Sequence, residues 1–301
     1  MTYASGGLIQ ASDYNGFATS VNQLWGTGSG SYGYGQSTTI SQSQTAGTVV
    51  PASDWATLIA RMSTMQQHQY NNTTGIPSQP SSGGIVTYLS QISTAITSLQ
   101  NNRFQSYTST ISPVIASTTN SSSWYTSSVK TFTIAFGSDN QARYFFNCGG
   151  YIKIDSSGNS ITSPNGGTAW NSFVNTGFNN YFLFATSSQH SGTVGTYTRS
   201  TYLSASGFYN LTSTPTSFLT MTETGTGNTN YNANSIDLKY SYNGSGTITV
   251  TLTLTDNDTN PFGYTNTGST NAFIQYWYPE TTYISNTWGS TTTVNTVNTQ
   301  S

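Results

Sequence analysis

Few side chains in this sequence can do chemistry, and they can be taken one at a time. The carboxylates are Asp13, Asp54, Asp139, Asp155, Glu223, Asp237, Asp256, Asp258 and Glu280; the histidines are His68 and His190, and Cys148 is the single thiol. Asp13 and Asp54 sit where helices start, Asp139 and Asp155 are read in turns, and Asp237 alternates with Lys239 along one strand face as an ion pair. A glycosidase needs two carboxyls on facing elements, which Asp256 or Glu223 could join. The run Asp256-Asn257-Asp258-Thr259-Asn260 places carboxylate and amide oxygens at alternate positions, as calcium requires. It lacks the glycine and glutamate of an EF-hand loop, and Pro261 follows, so it reads as an Asx-rich turn, with calcium as the alternative. His68 falls at a helix end and His190 in a Ser/Gln loop, neither with a partner visible in sequence. Cys148, beside Gly149 and Gly150, reads as a small buried apolar side chain. No nucleophile elbow, zinc-protease motif, Walker loop or Cys/His metal spacing occurs. The expectation is a protein that is not an enzyme and uses no cofactor or metal.

The elements that would position these groups begin with one helical phrase stated twice. Ala11-Ser12-Asp13-Tyr14 is followed by apolar residues at Phe17, Ala18, Val21 and Leu24; Ala52-Ser53-Asp54-Trp55 is followed by Leu58, Ile59, Met62 and Met65. That spacing buries one stripe of a helix. Ser12 and Ser53 are the predicted N-caps, with Asp13 and Asp54 at the positive end of each dipole. Between the helices, Trp25 to Gln36 alternates glycine with tyrosine and is read as an ordered, aromatic-packed loop. After a Pro/Gly/Ser break from Asn71 to Gly84, Ile85, Leu89, Ile92, Ile96 and Leu99 mark a third helix with a narrow seam. The seam fits a three-helix cluster within one chain or a parallel trimer. Tyr14, Phe17, Val21, Leu24, Trp25, Trp55, Leu58, Met62, Ile85, Leu89, Ile92, Ile96 and Leu99 are therefore the candidate assembly residues.

After Arg103 the period changes from helical to two, which places a boundary between residues 1–104, a helical attachment or assembly region, and 105–301, an antiparallel β domain. Thr131 to Phe136 and Ala142 to Ile154 are read as a hairpin around Gly137-Ser138-Asp139-Asn140. Further strands are expected at Tyr181–Thr186, Thr196–Ala205, Ser217–Glu223, Ser235–Tyr242, Thr247–Asp256 and Ala272–Tyr278, with a helical turn only at Thr168–Val174. The fold class is mainly β with an α-helical N-terminal region: an antiparallel β-sandwich or jelly-roll-like domain after a three-helix segment. Thr247 to Thr255 is apolar on one face and threonine on the other, with no lysine to guard an edge.

Gly6-Gly7-Leu8-Ile9-Gln10-Ala11-Ser12-Asp13-Tyr14-Asn15, with Leu24-Trp25-Gly26 and Gly33-Tyr34-Gly35-Gln36, resembles the N-terminal part of virion structural proteins of tailed bacteriophages, cyanophages and related marine phages in particular. Gln141 to Ile154, with its Phe145-Phe146-Asn147-Cys148-Gly149-Gly150 core, is similar to a second segment of those proteins, as are Ala169-Trp170-Asn171 and Phe173. The resemblance spans residues 6 to about 184. It implies a structural particle component, a tail fibre or baseplate appendage, and brings no catalytic residues with it.

Composition bears on partners. Of 301 residues only 5% are charged, against roughly 25% in an ordinary soluble domain, while 21 Tyr, 14 Phe and 6 Trp supply core area. The net charge of -2 and seven dispersed cations leave no footprint for nucleic acid. No signal-like segment and no membrane-length apolar run is seen, so synthesis in a host cytoplasm, residence in the virion and no membrane insertion are expected. The expected partners are copies of itself, as a homotrimer, and other virion structural proteins. The alternatives are a host-glycan-binding adhesin and a capsid decoration or head-fibre protein. For a glycan, aromatic residues in turns would be the readers: Tyr264, Trp277 and Trp288, with Asn266 and Asn271 as hydrogen-bonding neighbours. Trp277 also fits a buried strand position and Trp288 an anchor for the chain end.

Overall fold

The structure is a computed structural model that describes residues 10–81, 89–162, 167–178, 181–187, 189–191, 199–204, 206–223, 234–257 and 265–300. Ile85, Tyr264, Asp258 and Asn260 lie outside the described residues, as does part of the expected strand Thr196–Ala205. The chain forms two compact units. The first joins Met1–Thr110 with Arg143–Gly150 and Tyr278–Gly289; the second holds Ile111–Ala142, Tyr151–Trp277 and Ser290–Ser301. The expected boundary after residue 104 falls near the end of the first segment, and the two later returns add to it.

The first unit is built on three helices, α1 (Ala11–Trp25), α2 (Ala52–Tyr70) and α3 (Leu89–Asn101). Their apolar stripes face one another: Phe17, Val21, Leu58, Met62, Ile92 and Leu99 are all buried. Trp55 sets its ring edge-on to Tyr14, centroids 5.1 Å apart, and to Phe17 at 6.4 Å. The helix starts differ from the expected ones. α1 begins after Gln10, whose backbone N–H donates to Asp13 Oδ2 at 3.0 Å, and α2 begins after Pro51, whose φ of -58° already suits a helix. Ser12 and Ser53 therefore lie inside the first turns and cap nothing. Asp13 and Asp54 keep their first-turn positions. Truncating Trp55 to alanine is expected to cost about 3–5 kcal/mol, the usual range for a buried tryptophan, read as a lowered urea midpoint with an unchanged slope.

The second unit is two antiparallel sheets. One has six strands in the order β13 (Thr292–Gln300), β3 (Ser127–Ala135), β11 (Thr247–Thr255), β10 (Ser235–Tyr242), β9 (Thr216–Glu223) and β8 (Arg199–Leu203). The other has seven, along the path β1 (Ser109–Ile111), β12 (Thr267–Pro279), β4 (Tyr151–Asp155), β6 (Tyr181–Phe184) and β7 (Gln189–Ser191), with β2 (Ala116–Asn120) and β5 (Ser160–Thr162) also on β12. Strict alternation makes the inner faces. In β11, Ile248, Val250, Leu252 and Leu254 are buried and the intervening threonines are not. Phe184 of β6 stacks on Tyr240 of β10, centroids 4.2 Å apart and 12° from parallel, and meets Phe218 of β9 edge-on at 5.4 Å. The mainly β, sandwich-like fold with a helical N-terminal region is thus the observed one. Strands expected at 217–223, 235–242, 247–256 and 272–278 appear within a few residues of those bounds, as does the helical turn, α5 (Gly167–Ser172), which runs into a π-turn at Phe173–Gly177.

One expected hairpin is absent. Asp139–Asn147 is a helix, α4, and only Tyr151–Asp155 of the second arm is a strand; β3 pairs instead with β11 and β13. Ser138 Oγ accepts the backbone N–H of Gln141 at 3.2 Å, so the Ser-x-x-Gln start of a helix, and not the turn of a hairpin, decides this segment. No helix among the described residues is long and apolar enough to cross a membrane.

Candidate functional site

The densest polar arrangement lies inside the first unit, where α2 ends. Asn71 closes the helix in the left-handed region, φ 54°, and its N–H bonds to the Gln67 carbonyl. One turn earlier, His68 is fully buried, and its Nδ1 meets Glu280 Oε1 at 2.5 Å; the Glu280 side chain is 3% exposed. Glu280 Oε2 accepts the backbone N–H groups of Thr282 at 2.6 Å and Tyr283 at 3.1 Å, while the Glu280 N–H donates to Ser106 Oγ. The His68 carbonyl takes the N–H of Tyr107 at 2.9 Å. Three chain segments are therefore tied at one carboxylate. Burial by itself would raise the Glu280 pKa, but the hydrogen bond and charge of His68 and the two N–H donors together hold it below the ordinary carboxyl value.

The glycine and tyrosine loop between α1 and α2 closes over the same region. The Tyr34 hydroxyl donates to the Arg103 carbonyl at 3.0 Å and accepts from Gln69 Nε2 at 2.9 Å, and its ring stands edge-on to His68 at 5.2 Å. Gln36 makes two bonds with the backbone of Ser285, at 2.9 and 3.1 Å. Asn147 Nδ2 donates to the Gly33 carbonyl at 2.8 Å. Gly35, at φ 73°, lies so close to Tyr144 that a Cβ would stand 2.5 Å from its ring. Gly35→Ala is expected to cost about 2–4 kcal/mol, combining left-handed strain with overpacking. Gly30→Ala, at φ 57° with nothing within 4 Å, should cost about 1–2 kcal/mol from strain alone. Thermal unfolding of the two variants side by side measures the difference.

This arrangement holds structure; it is not open to a substrate. Cys148 is fully buried, and burial first, then the Glu280 charge, pushes its thiol well up, so it stays protonated. No cluster of three or more His, Cys, Asp or Glu fit for a metal occurs among the described residues. Cations are likewise committed. Arg61 lies 3.9 Å over the Trp25 ring, Arg103 lies 4.1 Å over Phe104, and Arg143 Nη2 donates to the Thr27 carbonyl at 2.8 Å. Lys153 pairs with Asp155 at 3.2 Å, and Lys239 pairs with Asp237 at 3.0 Å as the alternation of that strand predicts. Asp155 is thus a buried strand end and Asp139 opens α4, where turns were expected.

Of the predicted readers of a glycan, Asn266, Asn271, Trp277 and Trp288 fall among the described residues, each buried or half-buried. Asn266 is 1% exposed, bridged to Trp124 through both backbone groups, and its Nδ2 donates to Asp256 Oδ2. That bond and the strand-end backbone bond from the Asp256 N–H to Thr126 occupy the start of the run considered for calcium. Asn271 lies in β12, not in a turn, and its amide donates to the Gly158 carbonyl. Trp277 is half-buried in β12 with Tyr151 edge-on at 6.2 Å. Trp288, in the first unit, is 1% exposed. Of the candidate assembly residues, Tyr14, Phe17, Val21, Leu24, Trp25, Trp55, Leu58, Met62, Leu89, Ile92, Ile96 and Leu99 are buried within the chain's own helical unit. What sequence reasoning missed, the His68–Glu280 pair, joins residues 212 apart. Set against family models, curated proteins and solved structures, the chain matches none.

Proposed function

We propose that this protein is a structural subunit of a tailed-phage particle, a tail fibre or other tail appendage, carried by its helical unit and associated with copies of itself. The observation that supports this most directly is the joining of the two stretches that resemble phage virion proteins. Gly33 to Gln36 and Arg143 to Gly150 interlock through the Asn147 bond to Gly33 and the seat of Gly35 on Tyr144. Residues that carry the resemblance in two separate stretches pack on one another, as parts of a shared core would.

Self-association draws support from the sheet edges instead of the helical seam. Among the described residues β13 ends the six-stranded sheet, with β3 as its paired strand, and runs nine residues without a charge or a proline. Val294 on that strand is 56% exposed, and Ile111 and Val114 by the first strand of the other sheet are 50% exposed. Such edges invite pairing when no lysine guards them. Mass spectrometry of purified particles from a culture carrying this gene tests the reading, with the chain expected among the structural proteins; absence from particles at all stages of purification would oppose it. Light scattering is expected to give an oligomer, with three copies as the state to check. A soluble monomer at micromolar concentration would remove self-association from the proposal.

A further inference from the structure

We infer that the surface formed by Tyr107, Tyr283 and Asn71 is a binding platform for neutral carbohydrate. The inference is independent of any place in a particle. Tyr107 and Tyr283 stand with ring centroids 6.0 Å apart and planes at 60°, an open V rather than a stack. Tyr107 is 37% exposed and Tyr283 is half-exposed at the surface. The Tyr283 hydroxyl donates to Asn71 Oδ1 at 3.0 Å, which leaves the phenolic oxygen to accept and the Asn71 amide to donate. Aromatic faces that meet the C–H face of a sugar ring, flanked by one neutral acceptor and one neutral donor for its hydroxyls, make a carbohydrate site without charge.

The platform is also held rigid from beneath. The carboxylate of Glu280 fixes the backbone of Thr282 and Tyr283, the N–H of Glu280 is held by Ser106, and the His68 carbonyl holds the N–H of Tyr107. The buried His68–Glu280 contact and four backbone bonds are more than a surface turn needs to stay folded. They set two surface rings in fixed relation, and that removes the ordering cost that otherwise weakens binding by exposed loops. Asn71 sits at φ 54°, where asparagine is tolerated better than most residues, and the Tyr283 hydroxyl orients its amide by bonding to Oδ1. Charge argues for neutrality of the ligand. The one carboxylate at the platform, Glu280, is buried and engaged, and the neighbouring Arg103 lies on Tyr32 and Phe104 with its donors on Ser31 and Gln100. A stacked nucleobase would bring phosphate to a surface with no cation to receive it.

The test uses the full chain against an array of neutral and charged glycans, with cellohexaose and chitohexaose titrated in solution by tyrosine fluorescence. The wild type is expected to bind neutral glycans. Tyr107→Ala and Tyr283→Ala should each weaken binding about tenfold, whereas Tyr107→Phe keeps the ring and most of the affinity. Tyr125→Ala, at a tyrosine 51% exposed elsewhere, should change nothing. Thermal unfolding of each variant separates lost binding from lost folding. The inference is overturned if the wild type binds no neutral glycan on the array, or if affinity survives the Tyr107→Ala/Tyr283→Ala double substitution. It is equally overturned if the double variant loses only association with another protein, which would make the platform a protein contact.

Discussion

Replacing Glu280 with alanine should lower stability by about 3–5 kcal/mol, the range for removing one partner of a buried ion pair. Three losses combine: the partner of His68, and the acceptor for the backbone N–H groups of Thr282 and Tyr283. Each orphaned donor is worth about 1–3 kcal/mol when it stays buried. At roughly 2–4 °C per kcal/mol for a chain of this size class, the melting temperature should fall by about 10 °C. Glu280→Gln keeps one carbonyl oxygen and should lose about half as much. It also isolates the charge. Because the folded Glu280 pKa lies below its ordinary value of 4.5, its contribution is complete above that value and disappears as pH falls through the lower folded one. The difference in stability between wild type and Glu280→Gln should therefore shrink as pH falls through the folded Glu280 value. Parallel stability curves for the two proteins down to strong acid would refute the charge assignment.

Lys130→Met should move stability in the opposite direction. Lys130 is 1% exposed in the sandwich interior, and its Nζ donates to Thr270 Oγ1 at 2.6 Å and Ser128 Oγ at 3.3 Å, with no carboxylate paired to it among the described residues. Burial pushes its pKa down from 10.5 to about 8. With a depressed folded pKa, the unfolded chain binds more protons between those values, so stability rises with pH from about 8 to 10.5 and is lost below about 8. At neutral pH the ammonium therefore costs about 3 kcal/mol, from that displacement at about 1.4 kcal/mol for each pH unit. Methionine fills the same length without a charge, and the two hydroxyls, 3.3 Å apart, remain within reach of each other. A gain of about 1–3 kcal/mol at pH 7 is expected, vanishing toward pH 10. Comparing variant with wild type at each pH cancels the buried tyrosines, Tyr240 among them, whose raised pKa is common to both. A variant less stable than wild type at pH 7 would show that the ammonium is better solvated than its surroundings suggest.

The three helices and most strands were legible because their apolar periods repeat, and period is a local property. Thr247 to Thr255 could be read as nothing else. α4 was misread because Tyr144, Phe145 and Phe146 favour strands by type; the sequence signal that outweighs them is the Ser138-Asp139-Asn140-Gln141 start, a helix-capping pattern. The Asp237–Lys239 pair was legible at two residues' separation, whereas the His68–Glu280 pair was not, since nothing in Gln66-Gln67-His68-Gln69 names a carboxylate 212 residues away. Asn266 looked like a surface amide because loops are rich in asparagine; a buried amide with its own carboxylate has the same sequence signature. Tyr107 and Tyr283 carry no signal for a related reason, lying far apart in the chain in stretches without any motif.

The return of Tyr278–Gly289 to a unit whose helices lie about 180 residues or more earlier in the chain has a consequence for biosynthesis. A ribosome adds about 5–20 residues per second, so His68 emerges on the order of 10–40 s before the carboxylate that receives it. Gln36 waits still longer for Ser285, 249 residues on, and Tyr34 for Thr287, 253 residues on. The sheet hairpin of β10 and β11 closes almost as soon as it is made, its strands separated by one short turn. On a translating ribosome that hairpin thus has both strands at hand while the helical unit stays unfinished. A nascent chain stopped before Glu280 should leave that unit sensitive to protease, and extension past Gly289 should protect α1 and α2.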